Sequence, residues 1–209
     1  MNTNRHQSKT KLLDAALHVF RARGYTATTV DDVCRAAGVT KGSFFHHFKG
    51  KEELAIAATM HWNEVTGSLF AQAPYQQIAD PRERVLAYID FRALILQGAL
   101  PDFTCLLGTM VQETYESYPA IRDACKQGID VHALTIAKDI ALAKAMYAPD
   151  ADWSPESLAL YTQASIQGAF ILAKAHSGSE IAAQCIVHLR RYVEFLLFGQ
   201  ASMPMPVQK

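Results

Sequence analysis

The stretch Thr28–Phe48, TTVDDVCRAAGVTKGSFFHHF, constrains this chain more than any other. Thr29 can cap a helix, and Asp32 three residues later completes a capping box. Val33 and Ala37 then fall on one helical face. Gly38 follows at once, where a helix ends in a left-handed backbone conformation that glycine adopts without strain. Thr40 offers a second N-cap only two residues on. Phe44 and Phe48 are four apart on the next helix and can pack back on Val33 and Val39. Two short helices joined by a tight glycine-containing turn make a helix-turn-helix.

The second helix opens with Thr40, Lys41, Gly42 and Ser43, a polar turn with one fixed cation and no acid. Recognition helices present their N-terminal residues to base edges in the major groove. Gly42 lacks a side chain, so the backbone there can approach a duplex closely. Free N–H groups at a helix start also suit phosphate. Thr28 and Thr29 stand at the entry to the pair. His46, His47, Lys49 and Lys51 flank its exit, within reach of phosphates. His46 and His47 are adjacent and point in different directions on a helix, so they do not share a metal ion.

The order of these residues resembles the DNA-binding segment of the TetR family of bacterial transcriptional repressors. The matching runs are Phe20-Arg21-Ala22-Arg23-Gly24-Tyr25, Thr28-Thr29-Val30, Ala36-Ala37-Gly38-Val39, Lys41-Gly42-Ser43-Phe44-Phe45-His46-His47-Phe48 and Lys51-Glu52-Glu53-Leu54. They cover about residues 10 to 55, roughly a quarter of the chain. The resemblance implies a DNA-binding head on a helical ligand-binding and dimerising body. One position departs from the pattern: the family usually has Tyr where this chain has Phe45, which keeps the ring and loses a phosphate donor.

Charge is distributed as that division requires. The whole chain balances 20 Lys and Arg against 20 Asp and Glu. Residues 1–50 nevertheless hold eight basic and three acidic residues, a net +5, and the remaining 159 hold twelve and seventeen, a net −5. A basic end on an acidic remainder suits a DNA head on a body that does not touch DNA. No apolar run reaches the ~18 residues of a membrane helix, and the N-terminus lacks a signal-peptide core. A cytoplasmic protein is expected. Cys34, Cys105, Cys125 and Cys185 are far apart without a CxxC, which fits neither a zinc site nor a disulfide framework. No metal and no cofactor is expected.

Periodicity and caps predict an all-α chain of nine helices. Residues 1–8 read as frayed. The first helix spans about 9–23, with Leu13, Ala16, Leu17 and Phe20 as its buried stripe. The helix-turn-helix pair follows. A fourth helix of ~20 residues, about 30 Å long, runs from Lys51 to about Gln72 with Leu54, Ala58, His61, Val65 and Leu69 on its apolar side. Asp80-Pro81-Arg82-Glu83 restarts the chain with a capping Asp and Pro at the first helical position. The fifth helix runs to about Gln97, and Gly98–Phe103 reads as a loop. The sixth spans about 104–117. Pro119 opens the seventh, to about Met146. Ser154-Pro155-Glu156 caps the eighth, to about His176, and the ninth runs to about Phe198. The tail from Gly199 reads as disordered. The expected domains are a DNA head over 1–50 and an effector and dimerisation body over 51–209.

On the eighth helix Ala164, Gly168 and Leu172 form a small-residue side. On the ninth, Leu189, Tyr192 and Leu196 lie in a wide apolar stripe. Two such helices from each of two chains can close a four-helix bundle, so a homodimer is expected. The resemblance places a pocket for a small-molecule inducer among the fourth to eighth helices. Polar or soft groups set in apolar helices are its candidate contacts: Arg92, Cys105, Met110, His132, Tyr161 and Gln163. Cys105 at a helix start also suits a thiol sensor of oxidants or electrophiles. An enzyme is disfavoured, because GxSxG, HExxH, a Walker loop and paired-carboxylate spacing are all missing. The expected function is a ligand-responsive repressor that binds a palindromic double-stranded DNA operator.

Overall fold

The computed structural model describes residues 2–198. Ten α-helices follow in order: α1 Asn2–Arg23, α2 Val30–Ala37, α3 Lys41–His47, α4 Lys51–Ala71, α5 Pro81–Leu94, α6 Leu100–Phe103, α7 Leu106–Thr114, α8 Pro119–Tyr147, α9 Pro155–Ala175 and α10 Glu180–Phe198. A 3-10 turn over Pro74–Gln77 precedes α5. The all-α class holds. The tenth helix is α6, in the segment expected to be a loop. Pro101 lies in its first turn, and the Asp102 carboxylate accepts a 2.8 Å hydrogen bond from the Ala99 N–H, which closes that turn. The segment 1–8, expected to be frayed, is helical from Asn2. The tail expected to be disordered lies outside the described residues. Among the described residues, no helix is long and apolar enough to cross a membrane.

The caps follow the sequence signals. Thr29 and Thr40 cap α2 and α3, and Gly38 terminates α2 at φ +64°. Asp80 accepts from the Arg82 and Glu83 N–H groups at 2.9 and 3.0 Å and starts α5. The Tyr147 hydroxyl also donates to Asp80. That bond, with the two backbone donors, holds the Asp80 carboxyl below its ordinary range. Ser154 caps α9 through the Ser157 N–H.

The chain divides into two compact units, Met1–Gln72 with Gln97–His132, and Ala73–Leu96 with Ala133–Lys209. These bounds differ from the division expected between 1–50 and 51–209. In the first unit, Leu12, Ala16, Phe20, Tyr25, Val33, Phe44, Leu54, Ala58, Leu106, Met110 and Ile121 form one buried cluster. Leu12 is fully buried where Leu13 was expected, and Leu13 packs at the margin. Leu54 and Ala58 carry the inner face of α4 as predicted, whereas Val65 and Leu69 near its end are 48% and 45% exposed. Between those ends, His61 of α4 meets Asp14 of α1 at 2.7 Å.

The second unit packs α10 against both α5 and α9. Val85, Leu86, Ile89, Ile140, Ile166, Ala169, Ile186, Val193 and Leu197 are buried in it. Two ion pairs knit it together: Arg84 to Asp139 at 2.8 Å, and Arg190 to Asp90 at 2.8 Å.

Candidate nucleic-acid interface

The basic head is built from α1, α2 and α3. At the start of α2 the Thr29 hydroxyl accepts from the Asp32 N–H at 3.1 Å, and the Asp32 carboxylate accepts from the Thr29 N–H at 3.0 Å. The Thr29 hydroxyl also donates to that carboxylate at 2.6 Å. Arg23 and Arg35 approach its other oxygen at 3.3 Å each. Hydrogen bonds from Thr29, then the two guanidiniums, hold the Asp32 carboxyl below its ordinary range. The turn after α2 leaves through Gly38, and the Val39 N–H returns to Cys34 O at 3.0 Å. Thr40 then accepts from the Ser43 N–H at 3.2 Å.

This geometry sorts the side chains of α3. Phe44 and Phe48 are buried, with ring centroids 5.7 Å apart. Lys41, Gly42, Phe45 and His46 are exposed, and Phe45 is 57% exposed. Thr29 and Thr40 are exposed at the two helix starts, and Ser43 is half-buried. A Cβ on Gly42 would meet nothing closer than the Thr40 hydroxyl at 3.7 Å, so that position opens to solvent. The first turn of α3 therefore offers a cation, a bare backbone and a capped helix start on one surface. Such a surface can accept a phosphate or reach into a groove.

Three predicted contacts have other occupations. Thr28 is fully buried, and its hydroxyl donates to Gly24 O at 2.6 Å. His47 is half-buried, with Nε2 at 2.7 Å from the Ser8 hydroxyl of α1. The Lys51 ammonium donates to Tyr25 O at 2.9 Å and Thr28 O at 2.8 Å, and lies 4.3 Å from the Tyr25 ring centroid. Burial lowers its pKa. Lys51 thus adds a charged donor to the turn between α1 and α2, where Tyr25 O also accepts from the Thr28 N–H at 3.2 Å. One residue absent from the sequence-level set belongs here. Asp31 of α2 pairs with Lys41 at 2.8 Å. It lies on the preceding helix, where no local spacing rule joins it to Lys41.

The candidate body residues fall in both units. In the second unit, Gln163 donates to the hydroxyl of buried Tyr88 at 3.1 Å, and the Arg92 guanidinium lies 5.8 Å from the Phe170 ring. Arg92 and Gln163 are both buried there. Tyr161 is 48% exposed and packs its tilted ring against Tyr192 of α10 with centroids 5.1 Å apart, so it does not lie in the interior. Cys105, Met110 and His132 belong to the first unit. Met110 is fully buried in the core, and the His132 ring packs 4.7 Å from that of Phe70. Cys105 occupies the N-cap of α7 and is partly exposed. Burial pushes the Cys125 thiol up to about 12, so it stays protonated and inert at neutral pH.

On α9 and α10, Ala164, Leu172 and Tyr192 are exposed, and Gly168 and Leu196 are half-buried. Leu160, Ile171 and Phe195 add exposed apolar area on the same two helices. Leu189 differs: it is 4% exposed and packs inside its own unit, because the wide stripe of α10 is shared between an inner and an outer face.

Residues 12–58 match the family model of bacterial regulatory proteins of the tetR family. The HTH-type transcriptional regulator LmrA of Bacillus subtilis is 31% identical over 123 residues, which cover 57% of this chain and 64% of LmrA. This chain therefore aligns with less than two thirds of that relative's length. The transcriptional regulator AcuR of Cereibacter sphaeroides is 28% identical over 172 residues, 81% of this chain and 76% of AcuR. A TetR transcriptional regulator from Chloroflexus aurantiacus shares the fold, with a TM-score of 0.80 at 24% identity over 92% of this chain and 96% of that one.

Lys51→Ala leaves the carbonyls of the turn without their charged donor. It should lower the stability of the head by roughly 1–3 kcal/mol, read as a lower urea midpoint with unchanged slope.

Proposed function

We propose that this chain, whose residues 12–58 match the family model of bacterial regulatory proteins of the tetR family, is a DNA-binding transcriptional regulator of that family. It binds a palindromic operator as a homodimer in the cytoplasm, with residues 1–50 as the DNA head and 51–209 as the effector and dimerisation body. The observation that carries this reading is the outward first turn of α3, where Lys41, Gly42 and the Thr40 cap stand clear of the core. Thr29, Thr40, Lys41, Gly42, Ser43, Phe45 and His46 are the DNA contacts. Thr28, His47 and Lys51 hold the head in shape behind them.

Dimerisation follows from the uncovered faces of α9 and α10. Ala164, Gly168, Leu172, Tyr192 and Leu196, joined by Tyr161, are the contacts. Half-sites one helical turn apart require recognition helices about 34 Å apart. An inducer that prefers a body conformation with another spacing releases the operator by population shift, which makes the protein a repressor. Arg92 and Gln163, buried and polar, are the inducer contacts in the second unit.

A second reading concerns the input. Cys105 is partly exposed at the N-cap of α7. In that reading an oxidant or electrophile modifies Cys105 and releases DNA. Operator release by an electrophile should vanish in Cys105→Ser; release at the wild-type rate would remove this residue from the signal.

Lys41→Ala should weaken binding to the operator by ~1–3 kcal/mol if Lys41 reads a base, and titration of a labelled duplex measures it. Tyr192→Asp places a charge in the uncovered face of α9 and α10. In sedimentation, the wild-type protein should run as a dimer and this variant as a folded monomer.

A further inference from the structure

The turn that joins α1 to α2 is gripped from outside the head. The Thr26 N–H donates to Glu113 Oε2 of α7 at 2.8 Å. The same carboxylate lies against Gly24, where a Cβ would stand 2.0 Å from Glu113 Oε1. Gly24 has φ +83°, so glycine is required there both by the backbone and by the space the carboxylate takes. Lys51 of α4 donates to the Tyr25 and Thr28 carbonyls of this turn, and its ammonium is attracted to Glu113. Between them, Tyr25 is buried edge-on against Tyr118, centroids 5.0 Å apart. One charge on α4 takes the turn's acceptors, and the opposite charge on α7 takes its donor.

These contacts differ in what they share with the core. Tyr25 belongs to the buried cluster, whereas Glu113 is exposed and lies outside it. The rest of α7 is anchored in that cluster through Leu106, Leu107 and Met110. A carboxylate on an anchored helix that bonds a backbone N–H of the turn fixes the turn's position relative to α7. A charge-assisted bond of this kind is about twice as strong as a neutral one. The turn leads directly into the Thr29 cap of α2, and α2 carries α3.

We propose that Glu113 is a positioning residue for DNA binding, whose carboxylate on α7 holds the turn between α1 and α2 so that α3 is presented in the orientation that fits its DNA. The inference rests on the DNA-binding reading above. Glu113 touches no DNA; it acts through the Thr26 N–H and the frame of the head. Loss of the bond leaves the core packed and lets the head adopt several orientations, which weakens binding to a specific site more than binding to duplex in general.

The test uses the full chain and a duplex that the wild-type protein selects from a random pool, with an unselected duplex as control. Glu113→Ala should lose about tenfold in affinity for the selected duplex, the equivalent of one hydrogen bond to a charged group, and little on the control. Its thermal midpoint should stay close to wild type, and amide exchange at Thr26 should rise. Glu113→Gln keeps an oxygen acceptor at the same reach and should restore most of the affinity. Equal affinity of Glu113→Ala and wild type for the selected duplex, despite faster exchange at Thr26, would reduce the contact to surface decoration. A fall in affinity that merely tracks a fall in thermal midpoint, unrescued by Gln, would make Glu113 structural only and overturn the proposal. A wild-type protein that selects no sequence overturns the DNA-binding reading itself, and this inference with it.

Discussion

A helix of seven residues does not stand alone in water, because the cost of nucleating it is not recovered over two turns. α3 exists because Phe44 is fully buried among the residues of α1 and α2 and because Thr40 satisfies a first-turn N–H. That constraint orders the rest of the head. Phe44 must point inward, which turns Lys41, Gly42 and Phe45 outward. The glycine turn at Gly38 must be tight, because only three residues separate α2 from α3. The cap at Thr29 fixes where α2 starts, and so where Phe44 finds its pocket. The outward chemistry is a by-product of the inward packing, and neither can be altered without the other.

The parts of this architecture that rest on local rules were legible in the sequence. Capping boxes, a C-terminal glycine and prolines at helix starts are interactions over three or four residues, and Thr29, Gly38, Thr40, Asp80 and Ser154 act where they were expected to. Long helices with an apolar stripe were legible too: of the positions spaced three or four apart on α8, Ile121, Cys125, Ile136, Ile140 and Ala143 are buried, and Ile129 and His132 are half-buried. The short α6 was missed because one turn has no periodicity to detect. Its signal was Pro101 followed by Asp102, a proline in the first turn and an acid at the third position.

What the sequence could not supply were contacts between elements distant along the chain. Lys51 is a basic residue beside a DNA-binding motif, and composition alone assigns it to phosphate. Its ammonium instead closes on carbonyls about twenty-five residues earlier. Thr28 is a hydroxyl in a plausible place, yet Gly24 O takes it. Leu189 belongs to an apolar stripe wider than one face, and only packing decides which edge turns inward. Tyr161, a candidate contact because it is a polar group in an apolar helix, stands half outside against Tyr192 of α10. For Lys51 and Tyr161 the neighbour lies far along the chain, whereas the carbonyl that takes Thr28 is only four residues away.

Phe45 carries a consequence of its own. A ring 57% exposed at the outward surface of α3 has no hydroxyl to offer a phosphate. Against a duplex it would cover sugar carbons or a thymine methyl, so it would add apolar burial where relatives of the usual pattern add a polar contact. Apolar burial is indifferent to counterions and carries a negative heat-capacity change. Part of the grip would then persist at ionic strengths that strip the lysines of their advantage, and would vary with temperature more than with salt.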